Sequence, residues 1–212
     1  MAFQKRELVI ASPFLIIAVN FAVAFGFGEF MGKWAFIPMI LIGWALWLFF
    51  IVKYGGKESI TNWLKKAKGA LGWKLVAIMV GLIPLPLFLM HYQLLDHWTI
   101  WLPWILLAIF NPFIEEFYWR GLLLDYTKTW SNWSSVLFTG VLFAINHAAF
   151  GVNSVVNSGF ELVISTLIMG VVWAWVYKKT NSLRWTIFSH FLVDFLGVSV
   201  AAFLDLYEKG NW

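Results

Sequence analysis

Trp98 to Leu124 reads WTIWLPWILLAIFNPFIEEFYWRGLLL, and this stretch decides the fold. It exceeds the roughly 20 apolar residues that a helix needs to cross a hydrocarbon core of about 30 Å. Yet Glu115, Glu116 and Arg120 lie inside it. Working outward, six further apolar runs bounded by charge appear: about Leu8 to Phe27, Trp34 to Val52, Leu75 to Met90, Val136 to Phe150, Leu162 to Tyr177 and Trp185 to about Leu206. The expected fold is all-α, a polytopic transmembrane helix bundle of about seven spans. It forms one integral membrane domain over residues 1–212, with the motif-bearing core at 98–206.

Composition agrees. The chain is 61% hydrophobic and 12% charged, against about 45–50% and about 25% in ordinary soluble domains. With no cysteine, disulfide frameworks, thiol catalysis and thiolate metal sites are all excluded. The net charge of +4 points to the cytoplasmic loops of a membrane protein rather than to nucleic acid. If seven spans alternate, thirteen of the fifteen Lys and Arg residues fall on one side, leaving Lys33 and Lys209 opposite. By the positive-inside rule the N-terminus is then cytoplasmic. Trp34, Trp73, Trp98, Trp101, Trp130, Trp133 and Trp185 sit near span ends, where aromatic belts form. Between the second and third spans, Lys57 to Leu71 alternates lysines with Ile60, Trp63 and Leu64, the pattern of an amphipathic surface helix.

A charge in a membrane helix costs roughly 2.5–3.5 kcal/mol on insertion scales and is by default a functional candidate. Residues four apart share a helical face, so Glu116 can pair with Arg120 while Glu115 points about 100° away. Pro112 would kink the helix or free a carbonyl near the acid. Glu115 and His147 each stand sixteen residues from a turn near Ser131, which places both about 24 Å of helix from that turn. His190 has Asp194 one turn on, suited to orienting its ring. Its depth fits less well, because the turn near Asn181 is nine residues away, and the last helix must be tilted or broken, with a bend at Gly197.

An acid and an imidazole at one depth can activate water against an amide carbonyl, with His190 and residue 194 facing the oxyanion. Glu115, His147 and His190 are equally a ligand set for zinc with one position left for water. No His-Glu-x-x-His helix is present.

Glu115-Glu116-x-x-x-Arg120, Phe143-x-x-x-His147 and His190-x-x-x-Asp194, in this order on apolar helices, resemble the CAAX protease and bacteriocin-processing enzyme family, also called Abi. The resemblance covers roughly Asn111 to Gly197. It implies an intramembrane endopeptidase of the glutamate type, acting without metal or other cofactor on a hydrophobic or lipid-tethered peptide or protein, in the plasma membrane of a prokaryote. Glu115 and His147 would activate water, His190 and Asp194 would form the oxyanion pocket, and Glu116 and Arg120 would support them. Asp194 departs from the asparagine usual in prenyl proteases, which puts the pocket and prenylated substrates in question. The other readings are a bacteriocin-immunity or scaffold protein without catalysis, and a proton-coupled transporter. Against the transporter, hydropathy shows no inverted repeat.

Overall fold

A computed structural model describes residues 2–69 and 71–207, and those residues contain helices, turns and loops but no strand. α1 (Ala2–Met31) and α2 (Phe36–Phe50) form the first hairpin, joined by a tight turn over Gly32–Ala35. After a wide π-type turn at Ile51–Gly55 comes the short α3 (Gly56–Trp63). α4 (Leu71–Leu82) and α5 (Leu85–His91) make one leg, broken at Ile83 and Pro84. α6 (Trp98–Glu116) continues through a second π-type turn, Phe117–Leu122, into α7 (Leu123–Tyr126). α8 (Asn132–His147) and α9 (Phe160–Thr180) follow, and α10 (Arg184–Leu196) with α11 (Ser199–Phe203) closes the bundle.

Each of the seven apolar runs is a helical leg, though their lengths differ from expectation. Five helical stretches are long and apolar enough to cross a membrane, the first of them, Gln4–Trp63, containing both of the first two runs. The last run is split between α10 and α11, where Val198 takes a left-handed φ of 49°. The bend expected at Gly197 is therefore present. The helix ends follow local chemistry: Ser131 Oγ accepts the Ser134 N–H at 3.1 Å to start α8, and left-handed Asn181 ends α9. His97 caps α6 by accepting the Thr99 N–H at 3.3 Å.

Large apolar side chains on many legs face outward, including Phe14, Phe25, Leu41, Phe49, Met79, Phe110 and Ile164. In water such a surface would aggregate; in lipid it needs no partner. Lipid tails are as apolar as leucine, so helices associate through close packing and polar contacts instead. α8 and α9 meet at Gly140 and Gly170, where a Cβ on Gly170 would stand 3.1 Å from the Gly140 Cα. Ser12 hydroxyl pairs with that of Tyr118 at 2.7 Å, and Asn20 Nδ2 donates to Asn146 Oδ1 at 2.8 Å. Each such contact contributes on the order of 1 kcal/mol.

The cations gather at one end of the bundle. There Arg6 bonds the Tyr126 carbonyl and Thr129, Arg184 bonds the Leu64 carbonyl, and Lys178 bonds Asn132. Lys33 lies at the opposite end, paired with Asp205 at 3.0 Å. Lys209 lies outside the described residues. The surface helix is shorter than expected, ending at Trp63 rather than Leu71. Trp63 is buried in the bundle, where its indole N–H donates to Asp125 at 2.8 Å. That bond fastens the end of the helix to the bundle, while Lys57, Glu58, Thr61 and Asn62 stay exposed.

Candidate active site

α6 carries both carboxylates on its last turn, before the π-type turn widens the backbone. The helix passes through Pro112 unbroken, so the irregularity falls after the acids and not before them. Glu116 accepts from Arg120 Nη1 at 2.9 Å, with both side chains buried. Arg120 also stacks on Phe143, 4.0 Å from the ring centroid, and on Trp173 at 5.2 Å. A buried guanidinium is thus held by one carboxylate and two aromatic faces.

Glu115 occupies a different face. Its Oε2 lies 3.9 Å from His147 Nε2 and 3.7 Å from His190 Nε2. Among the described residues that oxygen has no hydrogen-bond partner. The gaps are too long for direct hydrogen bonds, and one water could touch the acid and either ring. The carbonyl of Phe143 can only accept, so the 2.8 Å contact to His147 Nδ1 requires the proton on Nδ1. In the neutral ring Nε2 then presents its lone pair towards Glu115.

His190 is brought in as closely as His147, which residue counting did not anticipate. The Asn181 turn does not lie at the surface: Thr180, Ser182 and Leu183 are fully buried. The segment after α3 covers it, through Leu183 N–H to the Trp63 carbonyl at 2.8 Å and Lys68 N–H to the Thr180 carbonyl at 3.0 Å. Nine residues from a recessed turn reach the same depth as sixteen from an exposed one.

The orienting partner of His190 is also a correction. Glu116 Oε1 contacts Nδ1 at 3.1 Å, whereas Asp194 Oδ2 stands 3.7 Å from Nε2. Trp173 stacks on the imidazole with centroids 4.5 Å apart, and its indole N–H donates to Ser189, which donates to the Ala77 carbonyl. Asp194 instead accepts from Asn111 Nδ2 at 3.2 Å. The indole of Trp44, which can only donate, fixes the Asn111 amide by bonding its Oδ1 at 2.8 Å. Trp173, Ser189, Asn111 and Trp44 carried no sequence signal as site residues. An aromatic or small polar residue in an apolar helix looks the same whether it packs or positions.

All four motif residues, Glu115, His147, His190 and Asp194, line one cavity of about 520 Å³. Asn146 and its partner Asn20 line it too. Among the described residues no group of three or more His, Asp or Glu side chains forms a metal-ligand cluster. Such an arrangement, a carboxylate flanked by two imidazoles in an apolar chamber, can bind and polarise water beside a carbonyl.

No curated protein and no solved structure matches the chain. Residues 97–196 match the family model described as type II CAAX prenyl endopeptidase Rce1-like. That span holds α6 through α10 and every motif side chain of the cavity, and over it the chain is similar to the CAAX prenyl endopeptidases.

Proposed function

We propose that the protein is an intramembrane endopeptidase that hydrolyses a peptide bond in a hydrophobic or lipid-tethered polypeptide without a metal or other cofactor. The observation that carries this reading is the position of Glu115 Oε2 between two imidazole Nε2 atoms, 3.9 Å from His147 and 3.7 Å from His190, in a buried polar corner of an apolar cavity.

Water held by Glu115 and the His147 lone pair gives a proton to one of them as its oxygen bonds to the amide carbon. The carbonyl oxygen becomes an oxyanion and accepts a hydrogen bond from the Nε2–H of His190, which keeps its proton and which Glu116 aligns from the other ring nitrogen. Collapse of the tetrahedral intermediate breaks the C–N bond, and the retained proton passes to the leaving amine. Asp194 keeps its place through Asn111 and adds negative charge near Nε2, which favours the donating form of His190 over direct contact with the oxyanion.

The test is cleavage of a peptide library with a tethered lipid by the protein purified in detergent, against Glu115→Ala and His147→Ala. Cleavage by the wild type and loss in both variants is expected, with activity retained under strong chelation. Activity surviving both substitutions overturns the mechanism; activity abolished by chelation and restored by zinc overturns its metal-free form. Cells carry the last comparison: variants that lose a resistance phenotype, while no form cleaves anything, point to an immunity protein.

A further inference from the structure

Along the helices that carry the catalytic residues, most of the cavity lies beyond them on the side away from the cationic end. Along α6 the lining runs from Glu115 back to Leu107, along α8 and the turn after it from His147 on to Phe150 with Phe143 one turn below, and along α10 from His190 on to Gly197. No Lys or Arg side chain lines it. Towards the cationic end the site has a packed floor: Arg120, Trp119, Leu122, Leu123, Trp63 and Leu183 are each 2% exposed or less. Neither water nor a peptide could reach Glu115 through that layer.

The opening is sideways. α4 packs against both α9 and α10, with Ser189 of α10 donating to the Ala77 carbonyl of α4. At Ile83 and Pro84 the leg breaks, and α5 leans onto α10 and α6, where Phe88 stacks on Phe195 (5.6 Å) and Trp104 (6.5 Å). A cleft is left between the start of α5 and the first half of α9. Ile83 and Ile168 both line the cavity and are more than half exposed, and Ser165 of α9 lies at the same rim. An apolar mouth flanked by lipid-facing helices admits a hydrocarbon anchor, while the polar lining inside, Asn146 included, can meet a peptide backbone.

We infer that the catalytic cavity opens laterally between α5 and α9 into the non-cytoplasmic leaflet, and that its substrate is a polypeptide whose hydrophobic or acyl anchor lies in that leaflet, with the scissile bond on the same side. This rests on the peptidase reading for the word substrate, and on the cationic end facing the cytoplasm for the side. A cytoplasmic CaaX terminus carries its prenyl group into the opposite leaflet and does not fit this mouth.

The chain has no cysteine, so single thiols report without background. Ile83→Cys and Ser165→Cys are placed at the mouth, Gln93→Cys at the outer end and Lys128→Cys at the cationic end. Each is treated with a membrane-impermeant charged thiosulfonate, in spheroplasts and in inside-out vesicles. Reaction of the Ile83, Ser165 and Gln93 variants in spheroplasts and its loss in inside-out vesicles, with the reverse for Lys128→Cys, is expected. Mouth thiols that react from the inside-out face, from both faces alike, or not at all while Gln93→Cys reacts, overturn the inference; so does Lys128→Cys reacting from the outside. Labelling needs no catalysis, so it stands apart from the cleavage assay. If the assay fails while labelling holds, the access route survives and the peptidase reading does not.

Discussion

The buried carboxylate of Glu116 holds the ring of His190, with Oε1 3.1 Å from Nδ1, and the same oxygen accepts from Arg120 at 2.9 Å. One atom therefore joins an intrahelical ion pair to an imidazole 74 residues away. Glu116 acts through His190 as a positioning residue. Glu116→Gln keeps an acceptor for Arg120 but removes the charge that aligns the ring. It is expected to lower kcat by roughly 10- to 100-fold with KM little changed, and to move the pH–rate profile, which a purely structural loss would leave in place.

Glu115 and His147 act on one water, so their effects overlap. Glu115→Gln and His147→Ala are each expected to lower kcat by about 10²–10⁴-fold. The double variant should fall no further than the worse single one, because either loss already removes the shared step. Steady-state kinetics on a cleaved lipopeptide measure this; additive losses would show that the two residues serve separate steps.

Arg120 is fully buried between Phe143 and Trp173 and neutralises Glu116. Arg120→Leu strands that carboxylate, and thermal unfolding in detergent is expected to show a loss of about 3–5 kcal/mol. Arg120→Lys keeps the charge but neither the planar stacking nor the fork. It should recover part of the stability and little of the activity, since the Glu116 oxygen that Arg120 shares with His190 would move.

Gly170 faces Gly140, Phe143 and Arg120, with Cβ clearances of 3.1, 3.2 and 3.3 Å. Gly170→Ala asks three neighbours to shift by a few tenths of an ångström and is expected to cost about 1–3 kcal/mol. Gly170→Leu cannot be accommodated and should part α8 from α9. Melting temperature and cleavage should fall together, as Phe143 carries the carbonyl that sets the His147 tautomer.

Asp205 ties the outer loops together. Burial alone would raise its carboxyl, but Ser154, the Val156 and Val155 N–H groups and Lys33 outweigh that and hold it at about 2, below the ordinary 3.8. Its folded value is depressed, so its stabilisation is present above pH 4 and is lost as pH falls from about 4 through 2. Melting temperature followed from pH 6 to 2 should drop more steeply for the wild type than for Asp205→Asn; parallel curves would remove Asp205 from the acid response.

Much of the architecture was legible in the chain because its causes are local. Apolar runs of membrane length set the helical legs, alternating cations set which ends lie together, and 3.6-residue periodicity placed Glu116 on Arg120 and turned Glu115 away. The shared depth of Glu115 and His147 followed from counting along a hairpin with a surface turn. What the tertiary structure alone decided came from contacts between distant segments and from broken helices. His190 reaches Glu115 because the segment after α3 buries the Asn181 turn, and the ring is set by Glu116 and Trp173 from other helices. The mouth exists because the leg breaks at Pro84 and leans away from α9. Helix periodicity fixes directions within one helix, but it carries no information about where a bend, a recessed turn or a neighbouring helix sends the side chain.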